Sequence, residues 1–296
     1  MNNKYLHIIR LFRPAQWLKN GFVLLPLFFG GKVLDWECWR SAIPAFFAFC
    51  LMASAVYCLN DVRDVEADRI HPQKCRRPVA SGAVSVATAT GVMILLIAVS
   101  LAIALLLCGD AGIKVALVIA GYFVLNVAYC LKLKYYAIVD VFVVAFGFVL
   151  RLLCGGVAAD IPLSPWIVLM TFLLALFLAF AKRRDDLVIY ENDGVVSRGN
   201  ILNYNMPFMN QTLGIIGAIT IMCYILYTLS PEVMERLHTQ YLYLTCVFVI
   251  AAILRYLQVT IVRANSGSPT QILIQDRFIQ ACVAGWIISF AIILYF

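Results

Sequence analysis

The stretch Asn60-Asp61-Val62-Arg63-Asp64-Val65-Glu66-Ala67-Asp68 spaces three carboxylates as NDxxDxxxD. On a helix, Asp61, Asp64 and Asp68 stand at i, i+3 and i+7 and share one face. Three carboxylates on one face repel each other unless a cation sits among them. Mg²⁺ suits the arrangement, because it takes one or two carboxylates and completes its shell with substrate phosphate oxygens. The plainer alternative is a solvated helix end, with Arg63 and Arg69 pairing with the acids. It is the weaker reading, because the motif follows an apolar run directly and acids are expensive at the mouth of a membrane span. Downstream lies His71-Pro72-Gln73-Lys74-Cys75-Arg76-Arg77-Pro78. Its prolines end the helix, and the turn brings Lys74, Arg76 and Arg77 towards the acids. Acids, a divalent cation and Lys/Arg together hold a diphosphate and stabilise it as a leaving group. An ordinary basic membrane flank is the alternative for the same three cations.

A second polar cluster, Ala181-Lys182-Arg183-Arg184-Asp185-Asp186-Leu187, opens the other long connection. Either Asp185 or Asp186 takes a second Mg²⁺, or Lys182 and Arg183 contact phosphate. A basic stop-transfer flank is the third reading, and Arg198 is a weaker phosphate candidate. The N-terminal Arg13-Pro14-Ala15-Gln16-Trp17-Leu18-Lys19-Asn20 is either an interfacial anchor, with Trp17 at headgroup level, or a segment whose Lys19 and Asn20 face a cavity. Arg151 lies inside an apolar run and must face the bundle interior, either in an ion pair near Asp140 or at the substrate. His7, His71 and His238 are scattered. The ten cysteines include no CxxC pair and read as small packing residues.

The elements that position these residues follow from composition. Of 296 residues, 63% are apolar and 13% charged, and the mean hydropathy is +0.90. A soluble domain is about half apolar and a quarter charged, so the chain is an integral membrane protein. Nine apolar segments are expected at about 20–34, 41–59, 85–108, 111–131, 137–157, 164–181, 211–229, 239–257 and 278–296. The first is interrupted by Pro26, Gly30 and Gly31. Backbone groups in lipid must pair within their own segment, so the spans are helices; the runs are too continuous for barrel strands. The loops on one side carry 18 Lys and Arg and those on the other 4. That bias places the N-terminus and both long connections in the cytoplasm and the C-terminus outside. The net charge of +7 then serves orientation and anionic lipid, not nucleic acid. The expected fold class is an all-α polytopic membrane protein, one domain over residues 1–296. No inverted repeat suggests a transporter.

NDxxDxxxD after the second of nine spans, with a second polar motif after the sixth, resembles the UbiA-type intramembrane prenyltransferase superfamily. RPAQWLKN (13–20), SAVYCLNDVRDVEADRIHPQKCRRPVASG (54–82), LRLLCGGVAADIPLSPW (150–166), AKRRDD (181–186), LRYLQ (254–258) and QDRFIQ (275–280) look like its decaprenyl-phosphate phosphoribosyltransferase branch. The resemblance covers nearly the whole chain. It implies a helical bundle with a cytoplasm-facing polar cavity in the plasma (inner) membrane. It also implies Mg²⁺-dependent transfer of 5-phosphoribosyl from phosphoribosyl diphosphate (PRPP) to a polyprenyl phosphate such as decaprenyl phosphate, for cell-wall precursors. Asp61, Asp64 and Asp68 would hold the metal and Asn60 would orient it. Lys19, Lys74, Arg76, Arg77, Lys182, Arg183 and Asp186 would meet the substrate, with Asp61, Asp64 and Lys182 closest to the chemistry. A homo-oligomer is compatible with this reading. The alternative is a prenyl diphosphate:aromatic acceptor prenyltransferase, against which the basic start of AKRRDD speaks. The 264–269 loop departs from the branch in lacking acids.

Overall fold

A computed structural model describes residues 2–70, 74–194, 199–262 and 269–295. Of the expected features, the His71–Gln73 part of the turn, Arg198 and most of the 264–269 loop lie outside the described residues. The described residues are mostly helical, with no strand among them. Helix α1 (Asn2–Phe12) leads to a 3₁₀ segment, Pro14–Leu24, and a short α2 (Leu25–Phe29). Then follow α3 (Trp36–Arg63), α4 (Val65–Ile70), α5 (Val86–Leu107), α6 (Gly112–Leu131) and α7 (Val139–Ala158). The remainder are α8 (Pro165–Asp193), α9 (Met206–Leu229), α10 (Pro231–Leu237), α11 (Cys246–Leu257), α12 (Pro269–Gln275) and α13 (Arg277–Tyr295). A π-turn, Gln258–Val262, extends α11.

Among the described residues, eight helices are long and apolar enough to cross a membrane, where the sequence predicts nine. The difference is the first segment. Pro14, Gly21 and Pro26 disfavour a single α-helix there, and the chain winds as 3₁₀ instead. The wider pitch compensates in reach: the sixteen residues Pro14–Phe29 rise about 30 Å at roughly 2.0 Å per 3₁₀ and 1.5 Å per α residue. Two other boundaries move. Helix α3 runs to Arg63, so Asn60 and Asp61 are helical. Helix α8 runs to Asp193, so Lys182–Asp186 lie on a helix and do not open a loop. Hydropathy marks where the apolar run stops, but a helix continues past that point when its charges find partners.

The helix starts are chemically specified. Ser85 accepts from the Thr88 amide at 3.1 Å, Ser164 from Ile167 at 3.4 Å and Asn205 from Phe208 at 2.9 Å, satisfying first-turn donors. Gly194, at φ 68°, closes α8 in the left-handed region that glycine adopts without penalty.

The chain forms two compact units, Met1–Leu133 with Gly147–Leu163, and Lys134–Phe146 with Ser164–Phe296. In the first, α3 is the most enclosed of its spans and α5 and α6 expose most of their surface. Ala42, Ala45, Ala48, Ala53 and Ala55 on α3 are fully buried or nearly so. Without a hydrophobic drive between helices in lipid, small residues set how closely they pack. The 3₁₀ segment meets α7 backbone to backbone: a Cβ on Gly155 would overlap the Val23 carbonyl. In the second unit, Tyr224 shares a 2.7 Å hydrogen bond with Thr245 and accepts one of 2.6 Å from the Trp286 indole. Arg255 bonds Asp276 at 2.8 Å, and this guanidinium holds the Asp276 carboxyl below the usual carboxylate range. The ten cysteines are thiols, not disulfides, and seven are buried.

The Gly155 contact yields a stability prediction. Gly155→Ala should destabilise the chain by about 1–3 kcal/mol, because the overlap is with backbone and cannot be relieved by a rotamer. Gly121→Ala, on α6 with nothing within 4 Å of the added carbon, should be neutral or stabilising by roughly 0.5–1 kcal/mol. Thermal unfolding in detergent compares the two.

Candidate active site

Pro14 denies Arg13 the right-handed helical region. Arg13 takes φ 49°, ψ 59° in the left-handed region, α1 ends, and the Arg13 side chain reaches α3. There it hydrogen-bonds Asp61 and lies 4.9 Å over the Tyr57 ring. Asp61 is 1% exposed. Its second cation is Arg77, whose Nη1 is 3.5 Å from Asp61 Oδ1 and 2.5 Å from Asp68 Oδ2. The i, i+7 expectation is thus realised for Asp61 and Asp68, although the helix breaks between them. Asp64 occupies that break at φ −99°, ψ 13°. Its amide bonds Asn60 O at 2.9 Å and its carbonyl receives the Asp68 amide at 2.8 Å, so the helical direction carries through. Asp64 is half-buried. Asn60 accepts from the Cys130 thiol at 2.9 Å.

The three cations expected beside this motif separate. Arg77 binds the acids, Lys74 is half-buried, and Arg76 is exposed. Of the N-terminal pair, Lys19 is exposed and Asn20 is buried. Asn20 accepts from Arg151 Nε at 2.8 Å and donates to Cys50 Sγ at 3.2 Å. Arg151, 6% exposed, also donates to Gly147 O at 2.7 Å and Tyr122 OH at 3.0 Å. Its guanidinium faces the rings of Phe49, Tyr122 and Phe148 at 4.9–5.2 Å. An ion pair near Asp140 is therefore not what Arg151 makes. Neutral oxygens and aromatic faces hold it.

The second motif projects from α8 on several sides. Lys182 is exposed, while Arg183, Arg184, Asp185 and Asp186 are buried. Arg183 Nε donates to Asp140 Oδ2 at 2.6 Å, and Nη1 donates to Asp186 Oδ2 at 3.2 Å. Arg184 Nε donates to Asn210 Oδ1 at 2.7 Å. Tyr204, ahead of α9, donates its hydroxyl to Asp140 Oδ1 at 3.3 Å and accepts the Ile138 amide at 2.6 Å. Burial pushes the Tyr204 phenol up to about 12, so it remains a donor at neutral pH.

Arg13, Asp140 and Tyr204 are absent from the sequence-derived site. Arg13 carries a faint signal, a cation beside a helix-ending proline next to the same membrane edge as the acids. Asp140 and Tyr204 carry none, because 43 and 21 residues separate them from Arg183.

The first cluster's donor set suits a hard cation. It comprises two deeply buried carboxylates with a third beside them, and Asp61 Oδ2 is buried and accepts no hydrogen bond among the described residues. No three acid, His or Cys groups among the described residues enclose a metal by themselves.

The chain is 36% identical over 299 residues to decaprenyl-phosphate phosphoribosyltransferase of Mycolicibacterium smegmatis, covering 98% of this chain and 92% of that protein. It is 32% identical over 292 residues to the protein of that name from Corynebacterium glutamicum, covering 97% and 86%. Among solved structures, a UbiA homolog from Archaeoglobus fulgidus bound to DMAPP and Mg²⁺ superposes with a TM-score of 0.71 at 19% identity, over 97% of this chain and 98% of that one. A digeranylgeranylglyceryl phosphate synthase structure gives 0.66 at 18% identity, over 98% and 96%. Residues 22–280 match the profile of the UbiA prenyltransferase family, and with the near-full-length relatives this places the chain in that family as a multi-pass membrane protein.

Proposed function

We propose that this chain is a polyprenyl-phosphate phosphoribosyltransferase, which moves 5-phosphoribosyl from PRPP to a polyprenyl phosphate such as decaprenyl phosphate and releases diphosphate. The observation that carries the reading is the Asp61–Asp68 pair bridged by Arg77 and flanked by Arg13, in a chain whose near-full-length relatives are named for this reaction. Asp61, Asp64 and Asp68 would hold Mg²⁺, which when bound supplies positive charge to the leaving diphosphate.

The residues of the chain do the rest. Arg13 and Arg77 stand where a diphosphate held beside the acids would develop charge, and charge-assisted bonds from fixed guanidinium groups strengthen as it does. Asn60, fixed by Cys130, orients the acid cluster. Lys19, Lys74, Arg76 and Lys182 are cations for the diphosphate and the 5-phosphate. Arg183 is already shared between two carboxylates and serves the donor through Asp186. Asp186 suits the ribose hydroxyls, as carboxylates do in other ribose sites. The acceptor phosphate oxygen attacks ribose C1 as the bond from C1 to the diphosphate oxygen breaks. That oxygen is anionic at neutral pH, so no general base is required. Each CH₂ of the lipid tail buried against apolar helix surface contributes about 0.8 kcal/mol. The excess of basic residues supports a cytoplasmic N-terminus with both polar motifs at the cytoplasmic face, where a soluble donor would meet a lipid acceptor in the plasma membrane.

Purified protein with Mg²⁺, radiolabelled PRPP and a polyprenyl phosphate should transfer label to the organic phase. Asp61→Ala and Asp64→Ala should abolish that label. Label absent from wild type, with turnover of a prenyl diphosphate and an aromatic acceptor instead, overturns the phosphoribosyl assignment and leaves the family intact. Arg77→Gln should lower kcat/KM for the donor by roughly 10²-fold, the usual loss for one preorganised charge-stabilising donor. Its KM for the lipid phosphate should stay near the wild-type value in steady-state kinetics.

A further inference from the structure

The second polar cluster contains more than a phosphate site needs. Asp140 is completely buried, Arg183 nearly so, and Asp186 keeps 11% of its side chain accessible. Exposure therefore rises along one hydrogen-bonded line, from Asp140 through Arg183 to Asp186, and Tyr204 is joined to its inner end. The inner end is anchored by an unusual backbone. Ile138 sits at φ 69°, a left-handed conformation that is a genuine outlier for a β-branched residue. Strain of this kind persists only where the surroundings over-determine it, and it clusters at functional sites. Here the Ile138 amide is fixed on Tyr204 OH at 2.6 Å, and the same hydroxyl donates to Asp140. One guanidinium is thus shared by two carboxylates, Asp140 at the buried end and Asp186 at the more accessible end.

We infer that Asp140 and Tyr204 are positioning residues, which act through Arg183 to fix the orientation of the Asp186 carboxylate towards the sugar donor. The inference rests on the reading of Asp186 as a donor-side group. It adds two residues that touch no substrate and that lie in segments far from the motif: the first turn of α7 and the strap leading into α9. A purely structural role would tie the same segments together, but it would not depend on Asp186.

A double-mutant cycle separates the two, using Tyr204→Phe, Asp186→Asn and the double variant. Tyr204→Phe keeps the ring and removes only the hydroxyl. It should lower kcat/KM for the donor about tenfold, as expected for a lost hydrogen bond to a charged group, and leave the acceptor KM within about twofold. In the Asp186→Asn background the same change should cost less than about twofold, because residues in one network couple. Its effect on the unfolding temperature should be equal in both backgrounds. Asp140→Asn should follow Tyr204→Phe in direction, with a larger loss. Equal losses of kcat/KM in both backgrounds, or a loss of donor and acceptor affinity together in step with the unfolding temperature, overturn the inference and leave the proposed function standing. The cycle is run with whichever donor wild type turns over, PRPP or a prenyl diphosphate. Turnover of the prenyl donor alone removes the phosphoribosyl reading while the coupling is still decided. A wild-type chain that turns over neither overturns both.

Discussion

A carboxylate buried as deeply as Asp61 is tolerated in an apolar bundle only when a cation faces it, because removing a charge from water costs several kcal/mol even after relaxation. Much of the local architecture of the first unit serves that one requirement. Pro14 stops α1, Arg13 turns into the left-handed region, and its guanidinium arrives at Asp61. The segment after α4 returns Arg77 to the same carboxylate and to Asp68. The helix break at Asp64 keeps Asp61 and Asp68 on one face across a change of helix. An acid pair held by two guanidinium groups is also an arrangement suited to a diphosphate and its metal, so the means of burying the charge and the proposed chemistry coincide.

Two of the three buried arginines, Arg151 and Arg183, meet the same constraint by different routes. Arg183 uses two carboxylates. Arg151 uses none. It spreads its charge over an asparagine oxygen, a backbone carbonyl, a phenol and three ring faces. The first route leaves a carboxylate at the more accessible end. The second leaves a cation satisfied inside the bundle, which is why Arg151 reads as a clamp between Asn20 and α7 and enters no step of the proposed reaction. Close backbone approach makes that clamp possible, since Gly155 admits the Val23 carbonyl against α7 on the same stretch.

The class of protein, most of its spans and its acid motif were legible in the sequence, because each rests on a local and nearly additive property. Hydropathy over some twenty residues identifies a span whatever its neighbours are. NDxxDxxxD places Asp61 and Asp68 on one face through helix period alone. The resemblance carried by the two motifs led to the family that the comparisons show. Where the local property was itself ambiguous, the expectation failed: a first segment rich in Pro and Gly became 3₁₀ and α2 instead of a full α-helical span. The end of α8 was misplaced for a related reason, since the charges of Lys182–Asp186 look like a loop until their partners are known.

Partner choice belonged to the tertiary structure. Nothing local distinguishes Arg77, which reaches the acids, from Arg76, which is exposed, because the difference is a turn whose direction depends on what packs beneath it. Nothing local joins Arg13 to Asp61 across 48 residues, or Asp140 and Tyr204 to Arg183. The sequence determined that charge would be buried at the ends of two spans, for composition and period are properties of the chain itself. Which groups would face that charge was decided only by folding, since the electrostatic energy of a buried ion depends on distances of a few ångströms between segments that the chain order leaves far apart.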